Sequence, residues 1–232
     1  MEKRGGVLRL GRPLSADDKQ QIIGLYEGRL DLFGHDAKTV GWKNRADQYL
    51  RFSILCRGLD LNGKSILDVG CGLGDFVSFM DERGVGPREY VGVDISPRLM
   101  QHAASRFGRE DRRFLAMDFL EASDLGQFDI VLCSGALSFR VHDNVTAAEI
   151  MIRKMFEMCR EATVVNFLST YVDFQLPKNF HYQPEAIFTF GRSLTRWVSL
   201  HHDYPLYEFS LQLFRAPNSV DVRDPVSHWR NP

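Results

Sequence analysis

Residues 65–76 read SILDVGCGLGDF and gather Asp68, Gly70, Gly72, Gly74 and Asp75 directly behind a short apolar run. Glycines that alternate with other residues bring backbone close to a ligand where a Cβ would stand in the way. An apolar strand, a glycine loop, a helix and an acid about 20 residues further on form the general recipe for a nucleoside site. Asp94 of YVGVD occupies the place of that acid. A dinucleotide loop, G-x-G-x-x-G, requires a third glycine where Asp75 stands, and a carboxylate at a helix N-terminus repels a pyrophosphate. The Lys and Ser/Thr of a P-loop are missing too. A second set of residues can move protons. His142, and a cluster of Tyr171, His181 and Tyr182, are candidates for a general base because histidine titrates near neutrality.

Composition narrows what these residues act on. The 232-residue chain is 44% hydrophobic and 25% charged, with a formal net charge of -1. A chain of this length buries roughly 70% of its unfolded surface around one core, and near-neutrality offers no global attraction to nucleic acid or an anionic membrane. The expected partner is a small molecule. Cys56, Cys71, Cys133 and Cys159 are widely spaced and form no CxxC pair, so reduced thiols and no zinc are expected. Asp143 and Asn144 precede an apolar periodic helix and read as its N-terminal cap rather than as metal ligands. Adjacent His201 and His202 point to opposite faces of a strand, which makes them poor joint ligands. No apolar stretch approaches the roughly 18 residues of a membrane span, and no signal h-region is visible, so a cytoplasmic location is expected.

The elements that must position these residues follow from periodicity. Ser15 caps a helix in SADDKQQIIGLYEGRL, and a second helix near 45–59 sets Phe52, Leu55, Cys56 and Leu59 on one face; the glycine- and aromatic-rich 31–45 between them reads as loop. From Lys64 onward, apolar strands alternate with amphipathic helices, the pattern of a largely parallel α/β sheet. The strands read SILDV, YVGVD, RRFLAMD, FDIVLCSG and TVVNFL, with Ser96 and Pro97 opening one intervening helix and a methionine-rich helix spanning about 145–160. Pro184 opens a further helix. WVSLHHD and YEFSLQLF are then separated only by a turn at Tyr204 and Pro205, too little chain for a parallel crossover, so the sheet is expected to end in an antiparallel hairpin strand.

LDVGCGLGDF resembles the first motif of class I S-adenosylmethionine-dependent methyltransferases, an acid followed by G-x-G-x-G. Asp94 of GVDIS, MDF at 117–119 and FDIVLCSGAL match three further motifs of that family in order. The resemblance spans roughly residues 60–215 and implies an α/β fold: a Rossmann-like seven-stranded, mostly parallel sheet with an antiparallel C-terminal hairpin strand. Here residues 1–60 form an N-terminal helical cap, 61–216 the cofactor-binding domain and 217–232 a C-terminal tail. The implied cofactor is S-adenosyl-L-methionine, whose sulfonium and ammonium suit an acidic, phosphate-free loop. By the same resemblance Gly70, Cys71, Gly72 and Gly74 form the loop around its amino-acid half. Asp68 either meets the ammonium or orients the loop by accepting from backbone amides. Asp94 accepts from the ribose hydroxyls with Ile95 against the adenine, Asp118 accepts from the adenine amino group with Phe119 against the ring, and carbonyls of Ser134, Gly135 and Ala136 face the ammonium. Arg51 is either a partner of the cofactor carboxylate or an exposed helix arginine.

The expected activity is methyl transfer to an oxygen or nitrogen of a small molecule, with His142, His181 and Tyr182 as catalytic candidates. CSGAL replaces the Asn/Asp-Pro-Pro-Tyr sequence usual in amino-methyltransferases of DNA bases or glutamine. A carboxylate or carbon acceptor, a non-catalytic S-adenosylmethionine-binding regulatory or scaffold protein, and a nicotinamide-dependent oxidoreductase are the alternatives.

Overall fold

The computed structural model describes residues 14–217; the expected C-terminal tail lies almost wholly outside them. The chain enters through α1 (Ala16–Phe33), whose start is a capping box: the Ser15 hydroxyl accepts from the Asp18 amide and the Asp18 carboxylate accepts from the Ser15 amide. The helix runs three residues into the expected loop and stops at Gly34, which takes a positive φ of 59°. Asn44 caps α2 (Arg45–Leu55), which buries Phe52 and Leu55.

The α/β unit then follows as β1 (Ser65–Val69), α3 (Asp75–Asp81), β2 (Glu89–Asp94), α4 (Pro97–Phe107), β3 (Arg112–Ala116), β4 (Phe128–Cys133), α5 (Asn144–Met158), β5 (Cys159–Leu168), α6 (Pro184–Leu194), β6 (Trp197–His201) and β7 (Glu208–Phe214). The seven strands are ordered β3-β2-β1-β4-β5-β7-β6. β7 runs antiparallel to both of its neighbours, inserted between β5 and the edge strand β6. Strand β5 begins at Cys159, inside the expected end of the methionine-rich helix, because Cys159 and Ala162 pair with Phe128 and Ile130 of β4. Long-range pairing overrides the local helical period there.

Alternation along the central strands sends side chains to two cores. Ile66, Ile130, Leu132 and Val164 pack under α2 and α3 against Phe52, Phe76 and Met80. Leu67, Val131 and Val165 face the other way, against Ile152 and Met155 of α5 and Ile187 of α6. β1 and β4 are parallel neighbours at which the order of strand addition reverses. In open α/β sheets that switch point leaves a crevice beyond the carboxyl ends of the strands.

Candidate active site

A cleft of about 490 Å³ occupies that crevice. Its floor is the glycine loop. Gly70 has φ 72°, and a Cβ there would lie 2.5 Å from the Cβ of Ala136 in the loop after β4, so the two loops meet only because residue 70 has no side chain. Gly72 faces Val40, between α1 and α2, in the same way, at 2.9 Å. Gly70, Cys71 and Gly72 line the cleft with Asp68, Asp94, Ile95, Asp118, Phe119, Ser134, Gly135, Ala136 and Arg51. Gly74 does not line it. It forms the left-handed start of α3, packed against Phe107 and Phe114.

Asp68, next to last in β1, lies within the sheet, 2% exposed. One carboxylate oxygen accepts from the Tyr90 hydroxyl at 2.7 Å, and the other, Oδ1, is buried without a partner. It therefore does not orient the loop through backbone amides, as one of its expected roles required. Burial pushes its carboxyl up to about 7, with the nearby charges of Asp94 and Asp75 adding to the rise and the Tyr90 bond opposing it. Asp94, at the end of β2, accepts from the amides of Gly72 (3.1 Å) and Ser96 (2.9 Å); burial raises its carboxyl also, against those bonds. Asp118 accepts from the Leu120 amide at 2.8 Å and lies 2.6 Å from Lys19 Nζ of α1.

Arg51 is neither exposed nor simply aimed at the cleft. It is 7% exposed, forks onto Glu208 at the start of β7 through Nε and Nη2, and lies 4.1 Å from the Trp42 ring. Its Nη1 faces Gly135, where a Cβ would come within 2.7 Å. Asn166 completes this group, donating to Glu208 at 3.2 Å and accepting from the Gly135 amide at 2.7 Å. Sequence reasoning missed Glu208, Asn166 and Gln48, which donates to Asp75 at 2.8 Å. A polar Asn inside the apolar run TVVNFL was the one visible signal; 157 residues separate Arg51 from Glu208.

The expected bases are not brought to the cleft. Tyr182 is a core residue, 2% exposed, whose hydroxyl donates to the Leu137 carbonyl at 3.1 Å and whose ring packs on Phe167 and Phe180. The reason is that residues 180–182 hydrogen-bond back to Ser138 and Leu168 and turn Tyr182 inward. His142 is exposed on the turn before α5, tied by its amide to Asp18. His181 is half-buried outside the cleft, its pKa lowered by burial and by Arg140. Tyr171 is exposed and bonded to Glu185. Asp143 caps α5, accepting from the Thr146 amide at 3.1 Å. Among the described residues no His/Cys/Asp/Glu group could hold a metal.

A "Methyltransferase domain" family model matches residues 66–162. Rv1506c of Mycobacterium tuberculosis (strain ATCC 25618 / H37Rv), a methyltransferase by name, is 30% identical over 160 residues, covering 66% of this chain and 93% of that protein. The chain belongs to the class I S-adenosylmethionine-dependent methyltransferases. Solved methyltransferases share the fold: the magnesium protoporphyrin IX methyltransferase of Synechocystis PCC 6803 with bound S-adenosylhomocysteine (TM-score 0.62, 16% identity, 86% of this chain and 100% of that one). The N-methyltransferase NodS of Bradyrhizobium japonicum WM9 is similar over 82% of this chain and 98% of its own (TM-score 0.57, 15% identity).

The chemistry of this methyltransferase's cleft fits S-adenosylmethionine. An unpartnered, buried Asp68 oxygen beside Asp94 and Asp75 is a place for positive charge, which the cofactor carries and a pyrophosphate does not. The cofactor supplies a methyl group on a sulfonium, a leaving group that departs as a neutral thioether.

Proposed function

We propose that this methyltransferase transfers the methyl group to an oxygen or nitrogen of a small-molecule acceptor held at the β5 and β7 end of the cleft. The observation that carries the reading is the wall that the N-terminal segment adds to the cleft: Leu14, Ile22, Leu25 and Tyr26 from α1 and its approach line it, together with Trp42. A deep site walled by apolar side chains suits a small organic acceptor better than a duplex or a folded surface. In this reading Asp68 and the carbonyls after β4 hold the ammonium, and Arg51 Nη1 meets the cofactor carboxylate. Asp94 takes the ribose hydroxyls, with Ile95 on the adenine; Asp118 and Phe119 hold the adenine edge and face. Lys154 supports Phe119 from below, with Nζ bonded to the carbonyls of Phe119, Leu120 and Ala122 at 2.5, 3.1 and 2.6 Å.

No step in this scheme asks for a base among His142, His181 and Tyr182. Holding the acceptor atom in line with the departing sulfur, with water excluded, supplies most of the rate. Calorimetric titration with S-adenosylmethionine and with S-adenosylhomocysteine tests the assignment. Micromolar binding weakened at least tenfold, about 1.4 kcal/mol, by Asp94→Ala is expected. No binding of either ligand to the folded protein refutes it.

Among curated relatives, an Acetivibrio thermocellus malonyl-[acyl-carrier protein] O-methyltransferase is 32% identical over 84 residues, 35% of this chain and 29% of that protein. That likeness supports an oxygen acceptor.

A further inference from the structure

The strand order fixes where an acceptor must lie. Asp94 and Asp118 stand at the tips of β2 and β3, and the glycine loop and Ser134 at the tips of β1 and β4. A cofactor spread across those tips leaves β5 and β7 as the remaining floor of the cleft. Leu168 ends β5 directly opposite Glu208 at the start of β7, and Leu176, Lys178, Leu206 and Tyr207 line the cleft around that pair.

Three features of this end constrain the acceptor. Its rim is apolar and open: Tyr207 and Phe174 are 62% and 63% exposed and meet edge to face at 6.3 Å, the kind of surface that an apolar ligand covers. Its net charge is positive. The carboxylates of the cleft are Asp47, Asp68, Asp75, Asp94, Asp118 and Glu208. Among the described residues Glu208 alone stands at this end, and it is spent on Arg51 and Asn166. Lys178 forms no ion pair among the described residues. Arg140 helps to hold the lysine's segment in place, donating through its amide to the Lys178 carbonyl (2.9 Å) and through its guanidinium to those of Pro177 (2.9 Å) and Asn179 (2.8 Å). Lastly, among the described residues no histidine lines the cleft.

We infer that the acceptor is an apolar-bodied carboxylic acid, bound as its carboxylate against Lys178 and converted to a methyl ester; this rests on the methyltransferase reading above. With no histidine among the described residues of this end and Glu208 bound to Arg51 and Asn166, the acceptor must already be nucleophilic at neutral pH. A carboxyl group ionises near pH 4 by itself, whereas a phenol or an alkylammonium holds its proton to about pH 10, and an ammonium would also be repelled by Lys178. In the transfer one C–O bond forms as the C–S bond breaks with its electron pair left on sulfur. The carboxylate and sulfonium charges cancel and no proton moves.

The test is calorimetric titration of the full chain, saturated with S-adenosylhomocysteine, with 2-naphthoate and with neutral 2-naphthamide. Naphthoate is expected to bind at least tenfold more tightly than the amide. Lys178→Met should bring it down to the amide's affinity and Lys178→Arg should restore it, with S-adenosylhomocysteine affinity unchanged in both variants. Equal binding of the two probes, no binding of naphthoate, or indifference to Lys178→Met overturns the inference. Failure of the parent to bind S-adenosylhomocysteine overturns the underlying cofactor reading instead.

Discussion

Replacing Asp68 by asparagine probes the charge of the cleft through stability and binding together. Asp68 is 2% exposed, and burial lifts its carboxyl from 3.8 to about 7. A carboxyl with a higher pKa in the folded chain than in the unfolded one holds more protons when folded, so stability falls as pH rises between the two values. That gap corresponds to about 4 kcal/mol, lost at about 1.4 kcal/mol per pH unit from roughly pH 4 to pH 7. Asparagine keeps an acceptor for the Tyr90 hydroxyl and never ionises, while its unpaired buried N–H costs about 1–3 kcal/mol at every pH. The unfolding free energy of Asp68→Asn minus that of the parent should therefore climb by about 4 kcal/mol between pH 4 and 7, level off above, and leave the variant about 1–3 kcal/mol more stable at pH 8. Urea unfolding at half-unit pH steps measures it. The same variant should bind S-adenosylmethionine at least tenfold more weakly at pH 7.5, because the ammonium loses its buried counter-charge. A flat stability difference from pH 4 to 7 refutes an unmet charge at Asp68. Unchanged affinity refutes its facing the cofactor.

Other residues give narrower tests. Lys154→Met removes the cation that ties three carbonyls beneath Phe119 and should weaken adenosine and S-adenosylmethionine alike, by calorimetry, while leaving the secondary structure intact by circular dichroism. Arg51→Met strands Glu208, 2% exposed, without its guanidinium; a loss of about 3–5 kcal/mol in urea unfolding is expected, and an effect below 1 kcal/mol would show the pair to be dispensable. Gly70→Ala drives a Cβ to 2.5 Å from Ala136 at a φ of 72°, so cofactor affinity and stability should both drop. Ala136→Gly in the same chain should recover the part caused by the clash but not the part caused by the backbone angle.

Much of this protein is written locally. The apolar run that becomes β1, the alternating glycines, and the acids at the end of β2 and just past β3 all take their places because strand alternation and left-handed turns depend on neighbours a few residues away. Ser15, Asp143 and Pro184 mark helix starts for the same reason. The short link between β6 and β7 excluded a parallel pairing by chain length alone. Asp75 at the mouth of α3 by itself disfavours a pyrophosphate there.

Tertiary structure decided what each charged group does with its charge. Arg51 reads in the sequence as either an exposed helix arginine or a partner of the cofactor carboxylate, and Glu208, 157 residues away, is what buries it in a paired state. Tyr182 and His181 sit near a catalytic edge in sequence, yet pairing of 180–182 with Ser138 and Leu168 turns Tyr182 into the core and keeps His181 out of the cleft. Asp68 acquires its high pKa from desolvation by strands on both sides, Gly92 of β2 and Leu132 of β4 being its register partners. Burial and distant pairing are sums over the whole chain, so a window of local sequence carries the positions of these residues without carrying their chemistry.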